Sequence, residues 1–137
     1  MAAAARHRVA SISSEIYTKR VVWAGRPWED VASGVLGLDD ETYYLVAAAI
    51  ARLESEGPAL VRPTADRIKG SRHHNMKELR PGSSGRSEIR ILFAFDPGRR
   101  AVLSVAGDKA EMWKQWYERN IPVADDRFDE WLNSEVL

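Results

Sequence analysis

Three cations in the middle of this 137-residue chain, Arg80, Arg90 and Lys109, fall in or beside three consecutive β-prone segments that could bring them to one face. Guanidinium groups suit phosphate oxygens because their planar fork matches them and never deprotonates. Glu78 and His74 share a phase in the first of these segments and could exchange protons beside such a phosphate. His73 has the opposite phase. An ordinary explanation stands beside this one: Glu78, Glu88, Arg80 and Arg90 could be cross-strand charge pairs, and a histidine pair at a strand start could be solvated surface.

The segments that must position these residues are Arg67 to Arg80, Glu88 to Asp96, and Arg100 to Lys109. In the second, Ile89, Ile91, Phe93 and Phe95 alternate with Glu88, Arg90, Leu92, Ala94 and Asp96, so the first set is core and Arg90 is expected on the open opposite face. Asp96-Pro-Gly98 reads as a tight turn into the third segment. Before the sheet, Asp39 or Asp40 starts a helix in which Tyr43, Val46, Ile50 and Leu53 recur at helical spacing, and Gly57-Pro58 ends it. Thr64 to Lys69 is expected as one or two helical turns, and Val21-Val22-Trp23 as a short edge strand.

After the sheet, Asp108 with Glu111 has capping-box spacing and predicts a helix through Met112, Trp113, Trp116 and Tyr117, ending near Asn120-Ile-Pro122. A separate last helix spans roughly residues 124 to 134, with Phe128, Trp131 and Leu132 inward. The 3–4 spacing of Trp113, Trp116 and Tyr117 is that of a buried stripe, although the Tyr117 hydroxyl could reach the cationic face. The sum is an α+β fold with a small antiparallel meander packed against helices. Residues 1–20 form an appended arm, and residues 21–137 the domain.

Composition narrows the function classes. Net charge is zero, but residues 62 to 100 carry ten Lys/Arg against four Asp/Glu, a net +6, between flanks of −2 and −4. A basic centre between acidic ends suits a focused anion site, and solvated arginine-rich strand edges give the same count. The absence of cysteine excludes disulfides and thiolate metal sites. His73, His74, Glu78 and Glu88 have no recognised metal-ligand spacing, so neither metal nor cofactor is expected. No apolar run approaches a membrane span or a signal peptide, which points to a soluble, cytoplasmic protein.

Gly70-Ser-Arg-His-His-Asn-Met-Lys-Glu-Leu-Arg80, Arg90-Ile-Leu-Phe-Ala-Phe-Asp96, and Ala106-Gly-Asp-Lys109 followed by an aromatic helix resemble a RelE/ParE-superfamily toxin of the HigB-like branch. The likeness covers about residues 39 to 120. It implies a RelE-like microbial RNase fold in a type II toxin–antitoxin system. It also implies a helix-turn-helix, HigA-like antitoxin as partner and metal-independent cleavage of mRNA on the ribosome by attack of the RNA's own 2′-hydroxyl.

By motif position, the resemblance makes Arg90 and Lys109 the electrostatic stabilisers. Arg80, His74, Glu78 and Tyr117 complete the catalytic candidates, and Arg72, Lys77, Arg86 and Trp113 are the RNA-binding ones. Such nucleases carry basic residues where this chain has Met76 and Glu78, and Lys77 falls out of phase. Two other readings therefore remain open, a ParE-like non-catalytic inhibitor of DNA gyrase and an inactive toxin-like remnant.

Overall fold

The computed structural model describes residues 20–24, 39–83, 85 and 87–135. The arm, except Arg20, and Arg86 therefore lie outside the described residues. Helix α1, Asp40–Glu56, begins as expected: the Asp39 carboxylate accepts from the Thr42 amide at 2.8 Å, and Gly57, with φ 56°, closes it by donating to the Leu53 carbonyl. Strands β1 (Val21–Trp23), β2 (Ala65–Arg67), β3 (Lys77–Leu79), β4 (Ile89–Phe95) and β5 (Ala101–Asp108) precede helix α2, Trp113–Glu135.

The strands form one sheet in the order β1-β5-β4-β3-β2. The predicted meander is β3-β4-β5, all antiparallel. It is extended by antiparallel β2 on one side and parallel β1 on the other, which makes the sheet mixed. The α+β architecture is as the sequence predicts, and five local expectations are corrected.

Thr64 to Lys69 is not helical. Too short to nucleate a helix, it gains backbone partners as β2, with the Arg80 amide donating to Thr64 and the Ile68 amide to Met76. The strand expected from Arg67 to Arg80 shrinks to β3, because residues 68–76 leave the sheet and fasten to α2. The buried Asp125 carboxylate accepts from the Ser71 hydroxyl and, at 3.0 Å, from the Arg72 amide. The two C-terminal helices are one. Pro122 sits exposed within α2, and the Asn120 side chain donates to the Trp116 carbonyl at 2.9 Å just before it. Nor does Asp108 cap a helix: it ends β5, and its carboxylate accepts from the Glu88 and Ala110 amides.

Both faces of the sheet are covered. On one, Leu79, Ile89, Ile91, Phe93 and Leu103 pack with Val46, Ile50 and Leu53 of α1. On the other, Met76, Leu92, Ala94, Val102 and Val105 meet Ile121, Ala124 and Phe128 of α2. Arg90 therefore does not lie on an open face; its side chain is 14% exposed under α2. A bulge between these layers, where Leu92 pairs with Val105 and Phe93 with Leu103, leaves Ser104 as the extra residue, and Arg127 of α2 donates to its carbonyl at 2.8 Å. At the far end, the Asp96 carboxylate accepts from the Arg100 amide, the Arg100 guanidinium and the Trp131 indole, tying the β4–β5 turn to the end of α2. No helix among the described residues is long and apolar enough to cross a membrane.

Gly107, opposite Arg90 on β5, is where α2 comes closest: a Cβ there would run into the Trp116 indole. Gly107→Ala is expected to cost about 1–3 kcal/mol by overpacking and to lower the thermal midpoint by roughly 3–10 °C. An unchanged midpoint would show that Trp116 is not held against β5.

Candidate functional site

Register brings the site together. Glu78 pairs with Leu92 on β4, so its side chain shares the α2 side of the sheet with Arg90, while Lys77 and Leu79 take the α1 side. Burial leaves Glu78 only 3% exposed, a position that a carboxylate occupies at acceptable cost only when its oxygens are matched by donors and cations. Oε1 accepts from Arg80 at 2.8 Å. Oε2 accepts from the Tyr117 hydroxyl in a short hydrogen bond and lies 4.0 Å from Arg90 Nε.

Each partner comes from a different element. Arg80 follows β3 and reaches a second carboxylate, Asp66 of β2, at 3.4 Å, and Asp66 in turn holds Arg62 at 2.8 Å. Arg62 keeps the Asp66 carboxyl below its ordinary range. Arg90 sits on β4; its Nη1 donates to the Ile89 carbonyl at 2.8 Å, while its buried Nε makes no hydrogen bond among the described residues. Tyr117 comes from the second turn of α2, set edge-on to Trp116 with ring centroids 5.2 Å apart. Lys109, just past β5, places its ammonium 5.4 Å over the Tyr117 ring.

The cluster holds four cations, Arg62, Arg80, Arg90 and Lys109, against two carboxylates, Asp66 and Glu78. Its positive surplus and the spare Arg90 donor suit an entering anion. Burial, and then the Glu78 carboxylate, push the Tyr117 hydroxyl up to about 12, so it is a fixed proton donor to Glu78 at neutral pH.

Of the candidates read from sequence, Arg80, Arg90, Lys109, Glu78 and Tyr117 converge here. His74 does not join them. The strand phase that would have aligned it with Glu78 begins only at Lys77, and His74 lies exposed in the preceding loop, its carbonyl accepting from Arg67. The neighbouring His73 is the bound one, 2.7 Å from Asp129 and edge-on to Phe128. Met76 is core. Arg72 spends its charge on Asp126 and Asp129 of α2, and Lys77 faces the other side, over the Phe95 ring. Trp113 is not core, being 60% exposed. Arg62, given no role, Asp66, read as helical, and Trp116, read as stripe, are the members that sequence reasoning missed. Among the described residues no group of three or more acidic or histidine side chains could hold a metal ion.

The chain is similar to known proteins. A family described as phage-derived, Gp49-like proteins matches residues 35–129, a span that includes every member of the cluster. The chain belongs to the Gp49-like family. It is 60% identical over 104 residues to "Putative toxin HigB2" of Mycobacterium tuberculosis H37Rv, a match covering 76% of this chain and 52% of that protein. It is 57% identical over 90 residues to "Putative toxin HigB3" of the same organism, covering 66% of this chain and 76% of that protein. The chain thus spans about half the length of the first relative. No solved structure matches.

In an alkaline absorbance titration, Tyr117 should ionise late, near 12, and Glu78→Gln should lower that value in part, burial being the larger cause. Because the folded value is raised above the ordinary value of about 10, the stability that Tyr117 contributes is complete below pH 10 and lost as pH rises towards 12. Four tyrosines ionising together would remove Tyr117 from Glu78.

Proposed function

We propose that this Gp49-like protein is the toxin of a type II toxin–antitoxin pair and cuts mRNA without a metal, on the translating ribosome. The observation that carries the proposal is the convergence of Glu78, Arg80, Arg90, Tyr117 and Lys109 on one sheet face, which supplies each group that 2′-hydroxyl attack on a phosphodiester needs. The toxin names of the two relatives support the biological half of the reading.

In the proposed step the scissile phosphate is held by the Lys109 ammonium and by the Arg90 guanidinium, which it reaches as Tyr117 swings away from Glu78. Both then stabilise the doubly charged phosphorane. The Tyr117 hydroxyl turns from Glu78 to the leaving 5′-oxygen, which opens Glu78 Oε2 to the 2′-hydroxyl. Glu78 accepts the 2′ proton as the O2′–P bond forms, and Tyr117 gives its proton as the P–O5′ bond breaks. The products are a 2′,3′-cyclic phosphate and a 5′-hydroxyl. Glu78 then returns its proton to the tyrosinate along the hydrogen bond that links them at rest, so the balance closes. Arg80 holds Glu78 in place, and Asp66 holds Arg80. The antitoxin, a helix-turn-helix protein by the resemblance, silences the toxin by covering this cationic face in the cytoplasm.

Expression of the wild type beside Arg90→Ala and Glu78→Gln in a bacterial host, with mapping of RNA 5′ ends, tests the reading. New ends inside coding regions are expected for the wild type, reduced by about 10²–10⁴-fold in each variant, the range for loss of one charge-stabilising or proton-transfer group. Growth arrest without new ends would instead favour a non-catalytic target such as gyrase, and absence of arrest an inactive remnant.

A further inference from the structure

We propose that Trp113 is the platform on which a nucleobase beside the scissile phosphate stacks, so that this side chain sets part of the cleavage preference. The inference rests on the ribonuclease reading above. Among the described residues four large apolar side chains are left largely exposed, and two of them are adjacent: Met112 at 57% and Trp113 at 60%. An exposed indole beside a catalytic cluster invites a ligand with an apolar face.

Position says which ligand. Trp113 opens α2 and Tyr117 follows four residues later, so the two side chains leave the same side of the helix one turn apart, with Cβ atoms about 6 Å from each other. Lys109 reaches over the Tyr117 ring, so the side chain proposed to hand a proton to the leaving oxygen lies one helical turn from Trp113. On the Met112 side, Asp39, Asp108 and Glu111 line a groove whose negative charge repels a phosphate backbone. The shelf between that groove and the cations suits the uncharged flat part of a nucleotide whose phosphate lies at Arg90 and Lys109. Base–indole stacking is tolerant of base identity and strongest for purines, which would give a preference rather than a strict code.

The test uses purified full chain and ribosomes programmed with a defined message, in single turnover. Trp113→Ala should raise the toxin concentration for half-maximal rate about tenfold, the size of one stack, while the maximal rate stays nearly unchanged. It should also flatten the nucleotide preference at one position flanking the cut and leave the others. Trp113→Phe should restore both, because a ring remains. An unchanged half-maximal concentration and preference in Trp113→Ala would overturn the proposal. So would a variant that cuts normally but escapes its antitoxin, since the shelf would then be a protein-docking surface, and so would failure of Trp113→Phe to restore an impaired Trp113→Ala. A wild type that cuts nothing would instead bring down the ribonuclease reading itself.

Discussion

A carboxyl group is tolerated inside a protein only when donors and cations match its oxygens, and Glu78 is such a group. Its two oxygens gather Arg80, Arg90 and Tyr117 from the end of β3, the start of β4 and the second turn of α2. Remove it and Arg90 loses its carboxylate while Arg80 keeps only Asp66, a loss of the kind that costs about 3–5 kcal/mol for a broken buried pair. The same feature gives the site its chemistry, because the donors that hold the carboxylate are the groups a phosphodiester would need.

Everything else in the fold serves to bring α2 over that carboxylate. Gly107 lets Trp116 approach β5, Asp125 and Asp129 clamp the 71–73 loop, and Asp96 holds Trp131 at the far end. The helix runs unbroken through Pro122, so these anchors along its length fix Tyr117 from one side and Phe128 from the other. The sheet face under α2 is thus half core and half site: Met76, Leu92 and Ala94 at one end, Glu78 and Arg90 at the other.

Much of this was legible in the residues, for identifiable reasons. The stripe of α1 and the alternation of β4 are strong periodic signals; Arg80, Arg90 and Lys109 could be placed together from strand order, and Tyr117 was brought to them by the family resemblance. What could not be read was set by long-range partners. Ala65–Arg67 becomes a strand only because Lys77–Leu79 is there to pair with it, and residues 68–76 leave the sheet because Asp125, more than fifty positions later, holds them. That departure moved His74 out of the phase it seemed to share with Glu78. Arg90 looked exposed because a period of two separates the faces of a strand without telling which of them a distant helix will cover.

The central claim is that Glu78, through the donors it gathers, supports cleavage by the RNA's own 2′-hydroxyl. The most direct measurement is the chemistry of the cut ends, made with purified toxin on programmed ribosomes and with ribosomal magnesium held constant. The account predicts 2′,3′-cyclic phosphate and 5′-hydroxyl ends, formed by the wild type and almost absent with Glu78→Gln. Ends bearing a 5′-phosphate and a 3′-hydroxyl, or full cleavage by Glu78→Gln, would contradict it.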